Sequence, residues 1–519
     1  MKDASQEYEL KIELTEPELA ALRKRPALRA LTEGRATTRM LRSIYFDTPD
    51  HALSRKGAAL RLRKVGDRWI QTVKIGGGVV AGLSRPLESE SDVAGPELDF
   101  GAIDHVKARA AVCAAAEKAG FEPVFETRIR RTARQLRTPS GETAELALDT
   151  GEIRAGAASR PIVEAELELL SNDPGAIYAL AEEIFDGAPI RFSRFNKAAR
   201  GFMLARGEDE PARTPERAGA GLISADQSVG EAFEAIARDC LRMIAANASL
   251  VMDDDAPEGP HQLRVGLRRL RSATQAFAPV LKRKPMKALQ RGARDWARIV
   301  GRLRDADVLA EEIVEPAATA LGDRCDPLLA ALSEHRIATR SSVRDAMIAQ
   351  RFGAFSLDLA ATIETGRWRP GGKKQSAKKR KALTKPIAPF AAEALSEAWD
   401  EVAAWGARID ELTTPERHEM RKALKTFRYT VDFFAPAFDP ESAKAFARVL
   451  RKLQNGFGYL NDLATAEDLP ALFADHPDAD RLQEAAQAVV DWHAARAHKT
   501  WDKAVARWRE LSAEPRFWA

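Results

Sequence analysis

Charged side chains alternate with apolar ones from Glu7 to Leu14, near the start of the chain. The same alternation places Glu164, Glu166 and Glu168 on one side of a later segment. It recurs with the opposite sign in the pairs Arg61 with Arg63 and Arg128 with Arg130. Clustered carboxylates repel one another unless a cation lies between them, and clustered arginines need an anion. If these faces line a common interior, they are suited to binding a complex of a metal ion and a polyanion.

The segments that carry these charges have the two-residue period of β-strands. For any one of them, a charged side turned to solvent is the ordinary explanation, but recurrence with both signs favours a shared interior. Further strands are predicted at 60–63, 69–75, 125–136, 143–148 and 162–170. Short helices are predicted at 16–25, 104–119 and 174–185. So many short strands predict an antiparallel barrel or sandwich.

The second half of the chain has a helical period and contains an internal repeat. The segment from His261 to Arg271 is matched 157 residues later by the segment from His418 to Arg428. The same offset carries Phe-Ala-Pro at 277–279 onto 434–436 and the segment 301–305 onto 458–462. Because the register holds for 45 positions without a gap, we expect a duplicated helical bundle.

Each copy of the repeat presents a histidine and three cations on one helix face. The two basic stripes are His261, Arg264, Arg268 and Arg271, and His418, Arg421, Lys425 and Arg428. A solvated stripe paired with acids would explain one such helix. Two copies headed by the same histidine favour phosphate binding, since histidine donates to phosphate and gains charge near one.

The first 200 or so residues resemble the CYTH superfamily, the triphosphate tunnel metalloenzymes. The segment from Glu7 to Lys11 fits the ExExK signature, and the resemblance covers roughly residues 5–202. Further matches follow in order: Leu-Arg-Leu-Arg at 60–63, Thr-Val-Lys at 72–74, Glu-Leu-Ala-Leu-Asp at 145–149, Val-Glu-Ala-Glu-Leu-Glu at 163–168 and Asn-Lys-Ala-Ala-Arg-Gly at 196–201.

This resemblance implies an eight-stranded antiparallel tunnel that takes a triphosphate. Phosphate would be bound by Lys11, Arg61, Arg63, Lys74, Arg128, Arg130 and Lys197. The metal carboxylates would be Glu7, Glu9, Asp149, Glu164 and Glu166, with Mg²⁺ or Mn²⁺ as cofactor, because hard cations prefer carboxylate oxygen. Lys11 and Glu9 would be catalytic, helping to orient and activate a water that attacks a terminal phosphorus in line. Arg131 has the opposite parity to Arg128 and Arg130, so either set can face inward.

Residues from about 222 to 519 resemble the CHAD domain, a helical module. The resemblance includes both stripes, the triplets ending at Asp305 and Asp462, and the segment 492–496. It implies that the stripes bind inorganic polyphosphate in a basic groove without catalysis. The groove would be extended by Arg294, Arg302, Arg304 and Arg451. Asp305 and Asp462 are predicted to orient arginines or cap helices.

Together these features predict an α+β multidomain protein, an antiparallel tunnel with flanking helices followed by an all-α duplicated bundle. The expected divisions are a CYTH domain at 1–204, a linker at 205–221 and a CHAD domain at 222–519, the last with repeats at about 222–365 and 386–519 around a basic loop at 366–385. The expected activity is divalent-metal-dependent hydrolysis of inorganic tripolyphosphate to pyrophosphate and phosphate.

Three alternatives remain open. They are a non-catalytic protein that targets polyphosphate granules, an adenylate cyclase-like CYTH enzyme, and a nucleic-acid-binding protein. The last is the weakest, because the chain has five tyrosines and no stacking motif. No P-loop, GxSxG or HExxH motif suggests other chemistry.

Whole-chain composition sets the remaining expectations. With 80 basic and 76 acidic residues, the net charge of +4 says little about partners. Cys113, Cys240 and Cys325 form no CxxC pair, which argues against a disulfide framework or zinc site and fits a reducing compartment. Without an apolar run of 18 residues or a signal-like start, we expect a cytoplasmic protein outside the membrane, in solution or at polyphosphate granules. The sequence leaves the oligomeric state open.

Overall fold

The computed structural model describes residues 8–519, except 77, 80, 118, 139–140, 170–173, 209–213 and 373–375, and excepting the side chains of residues 174, 461, 462, 464, 465 and 498. The chain forms two compact units. The first comprises Met1–Thr214 and Ile348–Thr365, and the second comprises Pro215–Met347 and Gly366–Ala519.

The first unit is built on one antiparallel sheet. Its strands are β1 (Glu9–Glu13), β2 (Thr32–Asp47), β3 (Ala58–Val65), β4 (Arg68–Ile75), β5 (Leu83–Ser84), β6 (Leu87–Val93), β7 (Glu122–Arg137), β8 (Thr143–Ala155), β9 (Ala158–Leu169) and β10 (Arg191–Phe192). Their order is β10-β1-β9-β8-β7-β2-β3-β4-β6. In addition β5 pairs with β1, while β6, which begins two residues after β5 ends, pairs with β4. The stretch from β5 to β6 therefore joins the two ends of the sheet into a tunnel.

This architecture confirms the predicted antiparallel tunnel. Eight of the described strands have five residues or more, and β5 and β10 have two residues each. The strands alternate charged or polar side chains toward the interior with apolar side chains toward the outside. Leu10, Leu146 and Leu167, for example, are buried on the outer face. Strand β2 was not predicted from the sequence, because its first half is exposed and lacks an apolar alternation.

Short helices cover the outside of this sheet. They are α1 (Glu16–Arg23), α2 (Pro26–Leu31), α3 (Val106–Ala116) and α4 (Pro174–Ile184). Thr15 and Glu18 form a capping box at the start of α1, which then buries Leu19 and Leu22. These helices supply the apolar cover that lets the sheet keep its charges inside.

A further helix, α5 (Lys197–Ala205), fills one end of the tunnel. Its Phe202 lies in an apolar cluster with Leu41, Tyr45, Phe125, Ile129, Ile153 and Ile162. The helix lies very close to the sheet at Gly201, where an added Cβ would lie 2.0 Å from the ring of Phe125. One end of the interior is therefore an apolar core, and the other end remains available for charged side chains.

The second unit is helical. The helices of the rest of the chain are α6 (Val229–Asp253), α7 (Glu258–Ala276), α8 (Arg283–Val308), α9 (Glu315–Leu321), α10 (Asp326–Ala349), α11 (Phe352–Glu364), α12 (Ala377–Leu383), α13 (Ile387–Gly406), α14 (Thr414–Phe434), α15 (Pro440–Ala466), α16 (Leu469–Leu472) and α17 (Ala479–Ala513). Of these, α11 lies in the first unit. Helices α13, α14 and α15 begin within one residue of the positions that the 157-residue offset predicts from α6, α7 and α8. The expected duplicated bundle is confirmed.

The two copies meet through equivalent aromatic residues. Phe277 and Phe434, which the offset relates, have ring centroids 5.4 Å apart. Phe233 and Phe390 form a second related pair. Phe233 contacts Phe277 at 5.3 Å, and Phe390 contacts Phe277 at 5.2 Å. The repeated positions therefore serve the core, while the basic stripes lie on other faces of the same helices.

The segment 366–385, predicted as a basic loop, contains regular structure. Trp368 is fully buried against Phe233, and helix α12 forms from a Lys- and Ala-rich stretch. Lys and Ala are strong helix formers, and the sequence reading gave more weight to the charges than to this propensity. Among the described residues, no helix is both long and apolar enough to cross a lipid bilayer.

Candidate functional site

A cavity of about 620 Å³ occupies the open part of the tunnel. Its walls carry closely spaced groups of both charge signs. The charged side chains that line it are Glu9, Lys11, Arg61, Arg63, Lys74, Glu88, Glu90, Arg131, Glu145, Glu166, Glu168, Lys197 and Arg206. The lysine of the N-terminal signature, the arginines of β3 and the glutamates of β9 therefore face one space.

Lys11 joins the first carboxylates of the site. Its Nζ lies 2.6 Å from Glu9 and 2.5 Å from Glu166, the residue opposite it in the β1–β9 pairing. Burial alone would lower the pKa of Lys11, but the carboxylates of Glu166 and Glu9 outweigh burial and raise it. The ammonium group therefore stays charged at neutral pH.

Three buried carboxylates lie deeper in the tunnel. Oxygens of Asp149, Glu164 and Glu166 all lie within 4.8 Å of one another, a spacing that could hold a metal ion. Lys197 contacts all three, at 2.7 Å from Asp149, 2.9 Å from Glu166 and in a short contact with Glu164. The first position of α5 delivers this lysine, because Asn196 caps the helix immediately before it.

Arg131 completes the neutralisation of these acids. It bonds to both oxygens of Asp149, at 2.8 and 2.6 Å, and to Glu166 at 2.5 Å. Burial would raise the pKa of Glu166, but Lys11, Lys197 and Arg131 together hold it well below the usual range. Three acids thus face three bases, and this inner carboxylate group is electrically balanced.

The opposite wall holds Arg61 and Arg63. Nη2 of Arg61 lies 3.6 Å from Glu88 and 3.5 Å from Glu90, whereas Arg63 lies beside Arg61 and Arg131. Arg63 donates to the hydroxyl of Ser43 at 3.1 Å, and burial together with the nearby Arg61 and Arg131 lowers its pKa to about 10. The arginine remains charged at neutral pH. The phenol of Tyr45 is buried among the same arginines, and their charges outweigh burial and lower its pKa. A wall of this kind favours an anion.

Carboxylates dominate the open end of the tunnel. Glu168 lies opposite Glu9 on one side and Glu145 on the other. Burial and the charges of Glu9, Glu88 and Glu145 raise the pKa of Glu168 to about 7, although the cation Lys74 opposes the shift. Nζ of Lys74 lies 2.5 Å from Glu88. These outer carboxylates outnumber the cations beside them, so a bound cation would relieve their repulsion.

The structure brings together most of the predicted site residues but not all. Arg128 and Arg130 are exposed on the outer face of β7, where Arg128 pairs with Glu126. The expectation that they face inward was wrong in this respect, because Ile129 and Arg131 are the inward positions of that strand. Glu7 lies outside the described residues.

Several lining residues were given no role in the site from the sequence. Arg131, Glu168 and Tyr45 face the cavity, as do Glu88 and Glu90. Arg131 could have been found from the strand alternation, since it lies on the opposite side of the strand from Arg128 and Arg130, the two arginines predicted to bind phosphate. Glu88 and Glu90 were hard to place because Pro86 precedes them and proline disfavours a strand; Pro86 lies between the end of β5 and the start of β6.

In the helical unit, α7 carries the first basic stripe. Arg264 donates to Asp305 of α8 at 2.6 Å, the geometry expected of an acid that orients an arginine. Burial and the neighbouring Arg304 lower the pKa of His261, and Arg268 adds to this shift. Burial, Arg294 and Arg268 likewise lower the pKa of Arg271. Like charges therefore gather between α7 and α8.

The second stripe lies on α14. His418 is exposed, and Arg421, Lys425 and Arg428 are partly buried. Arg269 of α7 is buried between the stripes' helices, 3.7 Å from Asp432 of α14 and over the ring of Phe433. His493, in the segment 492–496, belongs to neither stripe. It is buried, within hydrogen-bonding distance of Tyr459 and of the carbonyl of Ile313.

Two domain families match separate parts of this chain. Residues 5–202 match the CYTH domain, and residues 235–471 match the CHAD domain. The inorganic triphosphatase of Haemophilus influenzae is 29% identical over 171 residues, which are 32% of this chain and 46% of that protein. This chain therefore spans about half the length of that relative. The crystal structure of the CHAD domain from the plant Ricinus communis has a TM-score of 0.50 and 28% identity, over 58% of this chain and 99% of its own.

Proposed function

Because this chain joins a CYTH domain to a CHAD domain, we propose that it is a divalent-metal-dependent inorganic triphosphatase whose helical unit binds inorganic polyphosphate. The observation that carries the proposal is the cavity in which crowded guanidinium groups face crowded carboxylates. Such crowding is tolerable when an anion and a cation both enter the space.

The guanidinium wall is suited to phosphate oxygens. Arg61 and Arg63 are two residues apart on β3 and both line the cavity, and Arg131 lies close enough to Arg63 for their charges to interact. Guanidinium groups bind phosphate through paired, charge-assisted hydrogen bonds. A linear triphosphate would extend along these arginines, with Lys74 at the open end.

The carboxylates fit a hard divalent cation such as Mg²⁺ or Mn²⁺. The inner group could hold one, but Lys197 already lies among its three acids. We therefore place the metal at the outer carboxylates, where Glu168 lies opposite both Glu9 and Glu145 and its pKa is raised by their charges. When bound, the metal neutralises charge on phosphate oxygens and lowers the pKa of water.

The protein's own residues then position the reaction. Glu9 orients the water that attacks the terminal phosphorus, and Lys11 holds Glu9 in place through the bond at 2.6 Å. Arg63 and Arg131 stabilise the negative charge that develops on the phosphoryl oxygens. Pyrophosphate leaves on the opposite side of the phosphorus, so no covalent intermediate is needed.

The helical unit supplies a separate phosphate surface. Its stripes gather cations between α7 and α8, and these cations depress one another's pKa, as at Arg271. A polyanion relieves that repulsion and releases counterions on binding. We infer that inorganic polyphosphate binds here without being cleaved, because the cations lie beside no group of metal-binding carboxylates among the described residues.

The proposal is tested by incubating the protein with tripolyphosphate, ATP, thiamine triphosphate and long-chain polyphosphate, with Mg²⁺ or with a chelator. We expect phosphate release from tripolyphosphate, dependent on Mg²⁺ and abolished by Glu9→Gln. Release from ATP alone, with pyrophosphate and a cyclic nucleotide as products, would indicate a cyclase. Retention of polyphosphate with no release from any substrate would contradict the enzymatic proposal and support a granule-binding protein.

A further inference from the structure

Helix α11 is encoded among the helical repeats but is part of the tunnel unit. Residues 348–365 group with the first unit, whereas the residues before and after them group with the second. The helix packs against α4, and it buries Phe352, Leu357, Leu359 and Ile363. At its start, Gly353 lies against Ile190, where an added Cβ would be 2.8 Å away. This close, apolar packing makes α11 an integral element of the first unit.

The last residue of α11 reaches the stretch that closes the tunnel. The carboxylate of Glu364, whose side chain is 5% exposed, accepts a hydrogen bond from Nη2 of Arg85 at 2.7 Å. The same guanidinium lies over the ring of Tyr8, 4.9 Å from its centroid. Arg85 and Pro86 are the two residues between β5 and β6, so Glu364 holds the chain at the point where it leaves β1 for β4.

That point lies between the strand that carries Glu9 and the strand that carries Lys74. Ser84 stands opposite Glu9 in the β1–β5 pairing, and Glu88 stands opposite Lys74 in the β4–β6 pairing. The closing contact itself is slight, because β5 has two residues, supplemented by the bond from the amide of Lys11 to the carbonyl of Gly82 at 2.8 Å. Two-residue pairings have little independent stability. A bond from outside the tunnel is therefore well placed to fix the closing stretch.

We propose that Glu364 is a positioning residue for the tunnel, which holds the closing stretch through Arg85. Closure of the tunnel then depends on a helix that the C-terminal half of the chain supplies. The consequence for catalysis rests on the proposed triphosphatase function, since Glu9 and Lys74 are taken to serve it. The effect of Glu364 on closure of the tunnel does not depend on that function.

The test uses the full chain with Glu364→Gln, Arg85→Gln and the double variant. The matched control is Asp186→Asn, which breaks the bond from Asp186 to Arg351 at 2.5 Å, next to the opposite end of α11. Hydrogen–deuterium exchange is measured over residues 8–14 and 82–93. We expect faster exchange in both segments for Glu364→Gln and Arg85→Gln, no further increase in the double variant, and wild-type exchange there for Asp186→Asn.

Kinetics with tripolyphosphate provides the second readout. Loosening of the closing stretch should lower kcat/KM about tenfold, since small displacements of positioned groups have effects of this order, and should raise the Mg²⁺ concentration needed for half-maximal rate. Unchanged exchange in both segments, or an equal increase in the Asp186→Asn protein, would overturn the proposal. If the wild-type protein releases no phosphate, the triphosphatase proposal fails, while the exchange measurement still decides the role of Glu364.

Discussion

At the scale of single residues, the cavity separates charges that are balanced from charges that are not. Asp149, Glu164 and Glu166 face an equal number of cations, whereas Arg63 and Glu168 lie among groups of their own sign. Unbalanced buried charges are unfavourable in the free protein and become favourable when a ligand of opposite sign arrives. We therefore expect ligand binding to stabilise Arg63 and Glu168 more than the paired groups.

Arg63→Gln tests this at the phosphate wall, with the exposed Arg128→Gln as its matched control. We expect kcat/KM for tripolyphosphate to fall about 100-fold in Arg63→Gln, as when one donor to a developing charge is lost. Stability should not fall with it, since the substitution relieves repulsion from Arg61 and Arg131. Steady-state rates and thermal unfolding of the free protein measure both. Equal effects of the two substitutions would contradict the assignment.

Glu168→Gln tests the metal end through pH. The pKa of Glu168 is about 7 in the folded protein, above its ordinary value of 4.5. Between these two values the folded protein keeps a proton that the unfolded chain releases, so the free energy of unfolding falls as pH rises from 4.5 through 7. At pH 8 without metal, the free energy of unfolding of Glu168→Gln should exceed that of wild type by about 2 kcal/mol after allowance for partial exposure, and the variant should unfold at a higher temperature. Mg²⁺ should stabilise wild type more than the variant. A lower unfolding temperature for metal-free Glu168→Gln at pH 8 would argue against the crowding.

At the scale of elements, strand parity and helical period account for what the sequence could predict. The paired glutamates of β9 and the arginines of β3 were placed correctly on one face because a strand has a two-residue period. β7 was misjudged because three arginines in four residues satisfy both parities, and only packing of Ile129 in the core decides between them. The repeat was readable because its register has no gap, but the position of α11 was not, since it depends on tertiary contacts with α4.

Because His261 lies in the basic stripe of α7, we expect the affinity for polyphosphate to depend on pH. Burial and Arg304 lower the pKa of His261 below 6.5 in the free protein, and a bound polyanion favours the protonated form. Affinity should therefore rise as pH falls from 7.5 toward 5.5, with uptake of a proton on binding. His261→Gln should reduce this dependence, whereas His476→Gln, at a partly buried histidine on another part of the unit, should not. Fluorescence titration with long-chain polyphosphate at fixed salt provides the measurement, and an identical pH profile in His261→Gln would refute it.

At the scale of the whole molecule, one chain carries two units that we propose to bind phosphate, and their side-chain chemistries differ. The tunnel combines cations with carboxylates that could hold a metal ion, whereas the stripes present cations without such a group among the described residues. The two units are not independent segments of sequence, since residues 348–365 serve the tunnel unit. Sequence order alone could not show this arrangement.

If the two sites are separate, a substitution in one should leave the activity of the other unchanged. Neutralising Arg264, Arg268 and Arg271 to Gln should weaken polyphosphate retention and flatten its salt dependence, since three phosphate contacts are lost. Hydrolysis of tripolyphosphate should continue at the wild-type rate. Arg63→Gln should slow the hydrolysis of tripolyphosphate and leave polyphosphate retention unchanged. Retention on immobilised polyphosphate and phosphate release measure the two activities, and loss of both in either protein would contradict separate sites.

The central claim is that the tunnel needs a cation and a phosphate chain together. Thermal unfolding tests it with Mg²⁺ alone, with a non-hydrolysable imido analogue of tripolyphosphate alone, and with both. The account predicts a combined stabilisation of the tunnel unit that exceeds the sum of the separate effects, in wild type and Arg128→Gln but not in Arg63→Gln. Merely additive shifts, or the same synergy in Arg63→Gln, would contradict it.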